Sequence, residues 1–455
     1  MKRELRQFRV EPSVIPADKE SEIKIRALDG RLMFFDDVTY EIQFIPTEDS
    51  DVDFDEKMTL FGYENNRKTF YVTPKNGVLT LKHFFAGEQE WIIKISTNDY
   101  DKHLNNELID GWAPHWDFLR NVRKLGVTLS VYSVYEDLYK KRVLRGDLHV
   151  HTNFTDACDS PWRVASEYRR AGYDFIAISD HNLYDIGKYA REKFDFKTDF
   201  QILTAEEIHN GYNGQLHIVN IGGKKSLNEI YLNEPETVEK EIQLLKGEVN
   251  VPDGVNEKEY LHRFWVYKKV KETNGLVIFP HTHWLVRGLR WHCSPKRSEA
   301  IIKNGLCDAF EIISGNPSPQ NNLQVSLYDN MRSQGIELPV VGSTDCHDVL
   351  NDTNPFNAAS TFIFTENSNI KQAILDGFSV AAEHPGSEPT RFYGNYRLVR
   401  YARFLENNYF PIHTNLCSCS GLLIDDYVNG EFYLKETIEL MEKRILSHEK
   451  SFFGK

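Results

Sequence analysis

The feature that most narrows the folds open to this 455-residue chain is where its histidines and acids fall. Through its middle, short apolar runs end, one after another, in one or both residue types. The first closes on Gly146-Asp147-Leu148-His149-Val150-His151-Thr152. The next two close on Ile178-Ser179-Asp180-His181-Asn182 and Thr204-Ala205-Glu206-Glu207-Ile208-His209. Leu216-His217-Ile218, Ile278-Phe279-Pro280-His281-Thr282-His283, Phe310-Glu311-Ile312 and Gly342-Ser343-Thr344-Asp345-Cys346-His347-Asp348 follow. A short apolar run bounded by turn residues reads as a buried strand. Strands alternating with helix-like stretches read as βα units around a parallel sheet.

Strands are expected at 142–150, 174–179, 200–204, 216–221, 276–279, 309–313 and 338–342. A helix is expected over 161–171, with Ser160 as N-cap and Pro161 in its first turn. The charged, helix-patterned stretch 224–262, with its Pro252-Asp253-Gly254 turn, reads as an insertion at the rim of the domain. Further helices are expected at 370–376 and 433–448. Residues 1–140 have a different texture: Glu22–Leu28, Thr39–Ile45, Val78–Phe84 and Glu90–Ile95 alternate polar and apolar residues. That period-two pattern, interrupted by Gly, Asn and Asp, predicts an antiparallel β-sandwich-like domain. The expected organisation is therefore an N-terminal β-rich domain (1–140), an α/β barrel (141–385) and a mixed, helical C-terminal extension packing on the barrel (386–455).

In a parallel barrel the C-terminal strand ends meet at one face, where active sites are built. Residues i and i+2 of a strand point to the same side, so His149 with His151, and Asp345 with His347, can each grip one ion. A lone strand-end histidine is usually a hydrogen-bonded structural residue. An H-x-H, a D-x-H and several further strand-end ligands together point instead to a polynuclear site for zinc, iron or manganese. The set is His149, His151, His181, Glu207, His217, His281, Asp345 and His347, with His283 an alternative to His281 and Glu206 an alternative to Glu207. Asp147, Asp180 and Glu311 are placed to orient imidazoles.

Taken together, these residues resemble the PHP (polymerase and histidinol phosphatase) family of metal-dependent phosphoesterases over residues 141–385. The likeness rests on the H-x-H of His149 and His151, the Asp180-His181 pair, Glu207, His217, His281 and the terminal Asp345-Cys346-His347, in that order. It implies a distorted (β/α)7 TIM-like barrel with two or three divalent ions at the strand C-termini. His149, His151, Glu207 and Asp345 would hold one ion. Glu207, His217 and His281 would hold a second. Asp156, His181 and His347 would hold a third, although Ala157 stands where the family usually has Gly. The N-terminal β domain is similar to that of the CehA-like branch, which includes a carbamate-hydrolysing enzyme. A second metallohydrolase (amidohydrolase-type) superfamily also opens with H-x-H, but it adds a carboxylated Lys and a single late Asp, so it ranks behind.

The resemblance implies hydrolysis of a small phosphate mono- or diester by metal-activated water, with a carbamate or carboxylic ester as the alternative substrate. Asp345 would orient the water or take its proton, and His347 or His281 would protonate the leaving group. Arg287 and Arg290 could clamp a phosphate bidentately, and Trp284, Trp291 and His292 could wall the pocket. A net charge of −13 argues against nucleic acid as a partner, since a broad nucleic-acid surface is basic. The six cysteines show no disulfide spacing, and Cys417-Ser418-Cys419 alone is a weak metal motif. Met1–Gln7 lack an apolar signal core and no run is long enough to span a membrane, so a cytoplasmic location is expected.

Overall fold

The computed structural model describes residues 4–28, 34–48, 57–59, 62–64, 69–97, 127–211, 215–350 and 356–455. The first three residues of the charged N-terminal stretch lie outside these. The chain divides into two compact units. One comprises Met1–Lys141 with Phe404–Ile412 and Leu446–Lys455; the other comprises Arg142–Arg403 with His413–Ile445. Among the described residues, no helix is long and apolar enough to cross a membrane.

The first unit contains strands β1 (Phe8–Glu11), β2 (Val14–Pro16), β3 (Lys19–Ala27), β4 (Tyr40–Pro46), β5 (Lys57–Thr59), β6 (Gly62–Glu64), β7 (Thr69–Val72), β8 (Val78–Phe85), β9 (Gln89–Ser96) and β10 (Val127–Val134). β1-β3-β8 form one sheet, β2-β10-β9-β4-β7 a second, and β5-β6 a hairpin. The period-two pattern explains the pairing. Ile23 and Ile25 of β3, Leu79 and Leu81 of β8, Ile42 and Phe44 of β4, and Trp91, Ile93 and Ile95 of β9 point inward to one shared core. Each such side chain contributes roughly 1.5–3 kcal/mol by leaving water. The end of the helix Lys435–Phe453 belongs to this unit too: Ser13 N–H donates to the Phe452 carbonyl at 2.7 Å, and Tyr409 packs on Phe452 and Phe453 at 5.2 and 5.1 Å.

The second unit is mixed α/β. Its strands are β11 (Arg142–Val150), β12 (Phe175–Ile178), β13 (Gln201–Leu203), β14 (Ala205–Ile208), β15 (Ile218–Ile221), β16 (Leu276–Phe279), β17 (Leu285–Val286), β18 (Arg290–Trp291), β19 (Ala309–Ile313), β20 (Val340–Gly342), β21 (Ala359–Thr365), β22 (Ser379–Glu383) and β23 (Arg391–Gly394). They form the sheets β13-β12-β11-β21-β22-β23 and β14-β15-β16-β19-β20, with β17-β18 a small hairpin. Two seams join the larger sheets beyond their strand ends. Val150 bridges Cys346 in parallel, and His181 bridges Glu207. Along the first seam His151 N–H donates to the Cys346 carbonyl at 2.9 Å and Asp345 N–H to the His149 carbonyl at 2.9 Å. Along the second, Glu207 N–H donates to the Ser179 carbonyl at 2.8 Å. Leu144, Leu148, Ala177, Ala205, Val219, Ile278, Ala309 and Val341, from seven strands of both sheets, share one apolar core.

The helix Pro161–Arg170 starts where expected, with the Ser160 hydroxyl accepting from Arg163 N–H. The expected βα alternation is broken in two places. β14, β15 and β16 run antiparallel, and β21, β22 and β23 follow β20 as an antiparallel set. The link from Ile208 to Ile218 is shorter than the dozen or so residues a parallel crossover needs. The stretch 224–262, read as a rim insertion, forms the helices Leu227–Asn233 and Pro235–Leu245 and the start of Glu257–Glu272. Their buried Leu227, Val238, Ile242 and Leu261 pack into the same core as Ile208, Phe279 and Ile312. Beyond 386, helices Tyr396–Asn408, Phe410–Val428 and Lys435–Phe453 are shared between the two units.

Candidate metal centre

Glu207, on β14, lies at the middle of the site and is buried. Its Oε2 lies 3.3 Å from His149 Nε2, 3.4 Å from His151 Nε2 and 3.1 Å from His181 Nδ1. Its Oε1 lies 2.8 Å from His217 Nδ1 and 3.3 Å from His281 Nε2. Asp345 closes the near side, its Oδ1 being 3.3 Å from His149 Nε2 and 3.1 Å from His151 Nε2. Four groupings have ligand atoms close enough to share an ion: His149-His151-Glu207-Asp345, Glu207-His217-His281, His151-Asp156-His181 and His181-His209-His217. His347 stands at the edge of the third, its Nε2 3.4 Å from Asp156 Oδ2 and its Nδ1 2.7 Å from the Asp345 carbonyl.

The two pairs left open by sequence, Glu206/Glu207 and His281/His283, have different surroundings. Glu206 points away from Glu207 and accepts from Asn220 Nδ2, the Ser226 hydroxyl, and the Leu227 and Asn228 backbone N–H groups. His281 reaches Glu207. His283 instead pairs with the Thr282 hydroxyl at 3.0 Å and packs on Trp291. Of the expected orienting acids, only Glu311 touches an imidazole, with Oε2 3.3 Å from His149 Nδ1; its Oε1 accepts from His281 N–H. Asp147 instead accepts from Tyr168, from the Thr344 hydroxyl and from the backbone N–H groups of His149 and Thr344, which ties the two motif-bearing strands together. Asp180 holds Thr152 and Thr155.

The electrostatics are those of a site built around positive charge. Burial lowers the pKa of His149, but Asp345 and Glu207 outweigh it and hold the imidazole well above its ordinary value. The same opposition brings His151 to about 10. Burial would raise Glu207 and Asp345, yet the surrounding imidazoles hold both well below the usual carboxylate range. For His181, burial dominates and lowers it to about 4. The backbone also bends at this place. His217, His281 and Asp345 all have left-handed φ (42°, 27° and 54°), a conformation costing about 1–3 kcal/mol each in non-glycine residues and concentrated at functional sites.

The donors fit divalent cations. His149 Nε2, both His151 ring nitrogens and His181 Nδ1 are buried yet make no hydrogen bond, although carboxylate oxygens lie within ion-pair distance. The nitrogen–oxygen contacts are close but wrongly directed for N–H···O bonds. Lone pairs aimed at a shared point, from nitrogen and oxygen donors together, are what zinc, iron or manganese would occupy.

Outside this cluster lies a cleft of about 1470 Å³. Arg287 and Arg290, both exposed, line it from the turn and second strand of the β17–β18 hairpin, alongside Arg297, Trp284 and Trp291. Trp284 and Trp291 are 37% and 36% exposed, so they belong to the wall of the cleft and not to the core. Arg297, which the sequence reading passed over, pairs with buried Glu259 and with the His292 carbonyl, and so anchors the return of the hairpin. His209 was passed over as a ligand as well. Its signal was available, since it stands two residues after Glu207 and therefore faces the same way. Cys417 is buried and Cys419 exposed, and all six cysteines are free.

No protein-family model matches this sequence, and no curated protein does. Solved structures similar to the chain include the following three. A two-domain protein from Bacteroides vulgatus containing a predicted PHP-like metal-dependent phosphoesterase is 17% identical. The match covers 59% of this chain and 70% of that one, with a TM-score of 0.41. A candidate metal-dependent phosphoesterase from Bifidobacterium adolescentis is 18% identical over 44% of this chain and 87% of its own, with a TM-score of 0.31. An amidohydrolase from Chromobacterium violaceum, solved with bound sulfate and no metal, is 14% identical over 46% and 89%, with a TM-score of 0.32.

Proposed function

We propose that this chain is a metal-dependent hydrolase of the PHP type that cleaves a small phosphate mono- or diester. One observation carries the reading: imidazoles and two carboxylates delivered by β11, β12, β14, β16 and β20 converge, and buried nitrogens of His149, His151, His181 and His281 are left without a hydrogen bond. In this reading residues 141–385 form a distorted seven-stranded barrel of β11, β12, β14, β15, β16, β19 and β20, preceded in the sequence by a β-sandwich-like domain. His149, His151, Glu207 and Asp345 would hold one cation, and Glu207, His217 and His281 a second. Asp156, His181 and His347, joined by His151, would hold a third.

Bound divalent ions there would acidify water and offset charge building on the phosphoryl oxygens. The rest falls to side chains. Glu207 spans two positions with its two oxygens. Asp345, beside His149 and His151, serves to orient the attacking water or accept its proton, and His347, partly exposed beside Asp156, serves to protonate the leaving oxygen. Glu311 fixes the ring of His149. Arg287 and Arg290 clamp the phosphate from the hairpin.

Trp284 and Trp291 favour a second reading, in which the same centre hydrolyses a carbamate or carboxylic ester with an apolar group against the indoles. The two arginines on the same hairpin make the phosphoester the better fit. The test is turnover of a generic phosphoester with Mn²⁺ or Zn²⁺, comparing the parent with the His149→Ala/His151→Ala pair. Loss of turnover in the pair is expected; equal rates would remove the proposal.

A further inference from the structure

His209 is the one imidazole of the cluster to which this mechanism gives no task. It stands at the end of β14, with its backbone N–H donating to Asn228 Oδ1 at 3.1 Å. Its ring lies between those of His181 (4.5 Å, 52°) and His217 (4.7 Å, 77°). Its Nδ1 is buried and makes no hydrogen bond. The three rings offer nitrogens within 4.8 Å of one another, and all three line the cleft, so a cation can reach them from solvent.

We propose that His181, His209 and His217 form a further, inhibitory cation site at the floor of the cleft, made only of imidazoles and competing with the carboxylate centre. It rests on the reading above for what it inhibits, but not for its own existence. Each neutral imidazole has one lone pair to give. His181 also belongs to the grouping with His151 and Asp156, and His217 to that with Glu207 and His281. A cation in the triad therefore takes one ligand from each of two neighbouring positions, and the arrangements exclude one another. Glu207 Oε1, 2.8 Å from His217 Nδ1, stands where a carboxylate orients an imidazole whose other nitrogen binds metal. An uncharged, all-nitrogen donor set selects Cu²⁺, Ni²⁺ or Zn²⁺. The positions around Glu207 and Asp345, which add carboxylate oxygens to their imidazoles, accept Mn²⁺ as well. Excess copper or zinc should therefore shut down enzyme supported by manganese.

The experiment uses the full chain carrying His149→Ala/His151→Ala, which leaves the triad whole while disabling the competing grouping through His181 and the main carboxylate position. Pulsed electron paramagnetic resonance with Cu²⁺ counts the coupled imidazole nitrogens. Three are expected, against two for an ion held by Glu207, His217 and His281. Adding His209→Asn should lower the count to two and weaken Cu²⁺ binding by about tenfold or more. An unchanged count and affinity would overturn the site. Melting temperatures are recorded alongside, with His209→Gln replacing the Asn variant if the latter is less stable. In the Mn²⁺-supported parent, Zn²⁺ should inhibit, and His209→Asn should raise the Zn²⁺ concentration required. Failure of the hydrolase reading would show as retained turnover in the His149→Ala/His151→Ala pair, a result independent of the nitrogen count.

Discussion

Five imidazole rings lie within 3.4 Å of the two oxygens of Glu207, whereas its sequence neighbour Glu206 meets none of them. Two adjacent glutamates thus have separable tasks. Glu207→Gln keeps the shape but removes the charge. Metal analysis of that variant should find about one ion fewer per chain, and turnover should fall about a hundredfold or more, since even outer contacts to metal ligands cost 10- to 100-fold. An unchanged metal content would place the ions elsewhere. Glu206→Gln should retain its metal and lose about 1–3 kcal/mol of stability in denaturant melts. The cause is four bonds remade around a buried amide, two of them from the backbone at the start of the helix Leu227–Asn233. At this scale the sequence was informative about which residue types converge. It left the Glu206/Glu207 choice open, because alternation says that neighbours point apart without saying which one points inward, and the His281/His283 choice open, because both follow the end of β16 and alternation would give i and i+2 the same side.

Among the elements, β11 matters most, since it carries the H-x-H and pairs with β12 on one side and β21 on the other. Its Gly146 lies against Phe175: a Cβ built there would sit 2.3 Å from the ring. Gly146→Ala should destabilise the chain by about 1–3 kcal/mol, the usual cost of overpacking; a denaturant midpoint equal to that of the parent would contradict the packing. The β17–β18 hairpin is the opposite case, exposed and adaptable. Replacing Arg287 and Arg290 with Ala should raise KM for a phosphoester about tenfold or more, as expected for lost charged hydrogen bonds, and leave kcat little changed. A selective loss of kcat would assign the hairpin to the chemical step. The parallel strands were legible because they are short, apolar and end in chemistry. The antiparallel order of β14, β15 and β16 was not, since strand direction depends on how the links run, and apolar runs of either direction look alike.

Over the whole second unit, stability leans on a buried ionic network that neither motif nor composition announced. Arg169 contacts Glu442 at 2.7 Å and Asp174 and Asp199 at 3.3 Å, and His413 Nε2 contacts Asp174 at 2.9 Å. It joins the helix Pro161–Arg170 to helices from the C-terminal stretch. Gly421 allows the close crossing, since a Cβ there would lie 2.4 Å from the Arg170 backbone. Burial lowers the pKa of His413, but Asp174 outweighs this and raises it from 6.5 to about 10. Burial opposes the fall of Asp174 from 3.8, but His413 and Arg169 bring it to about 2. The signs follow from linkage. The His413 contribution is complete below pH 6.5 and is lost as pH rises through about 10; the Asp174 contribution is complete above pH 3.8 and is lost as pH falls through about 2. The melting temperature should therefore decline from pH 7 towards 10, and His413→Asn should flatten that decline. A decline of the same slope in the variant would assign it to other groups.

The first unit takes its last pieces from the far end of the chain: Leu446–Lys455 belongs to it, and Ser13 N–H is held by the Phe452 carbonyl. During synthesis, strands β1 to β10 leave the ribosome well before Leu446–Lys455 and must therefore wait for that segment before the first unit has every partner. The portion bearing the candidate metal centre, emerging in between, can begin to condense while its predecessor is still incomplete. A stalled or prematurely stopped nascent chain would thus leave the leading portion, not the trailing one, as the part recognised by chaperones and proteases.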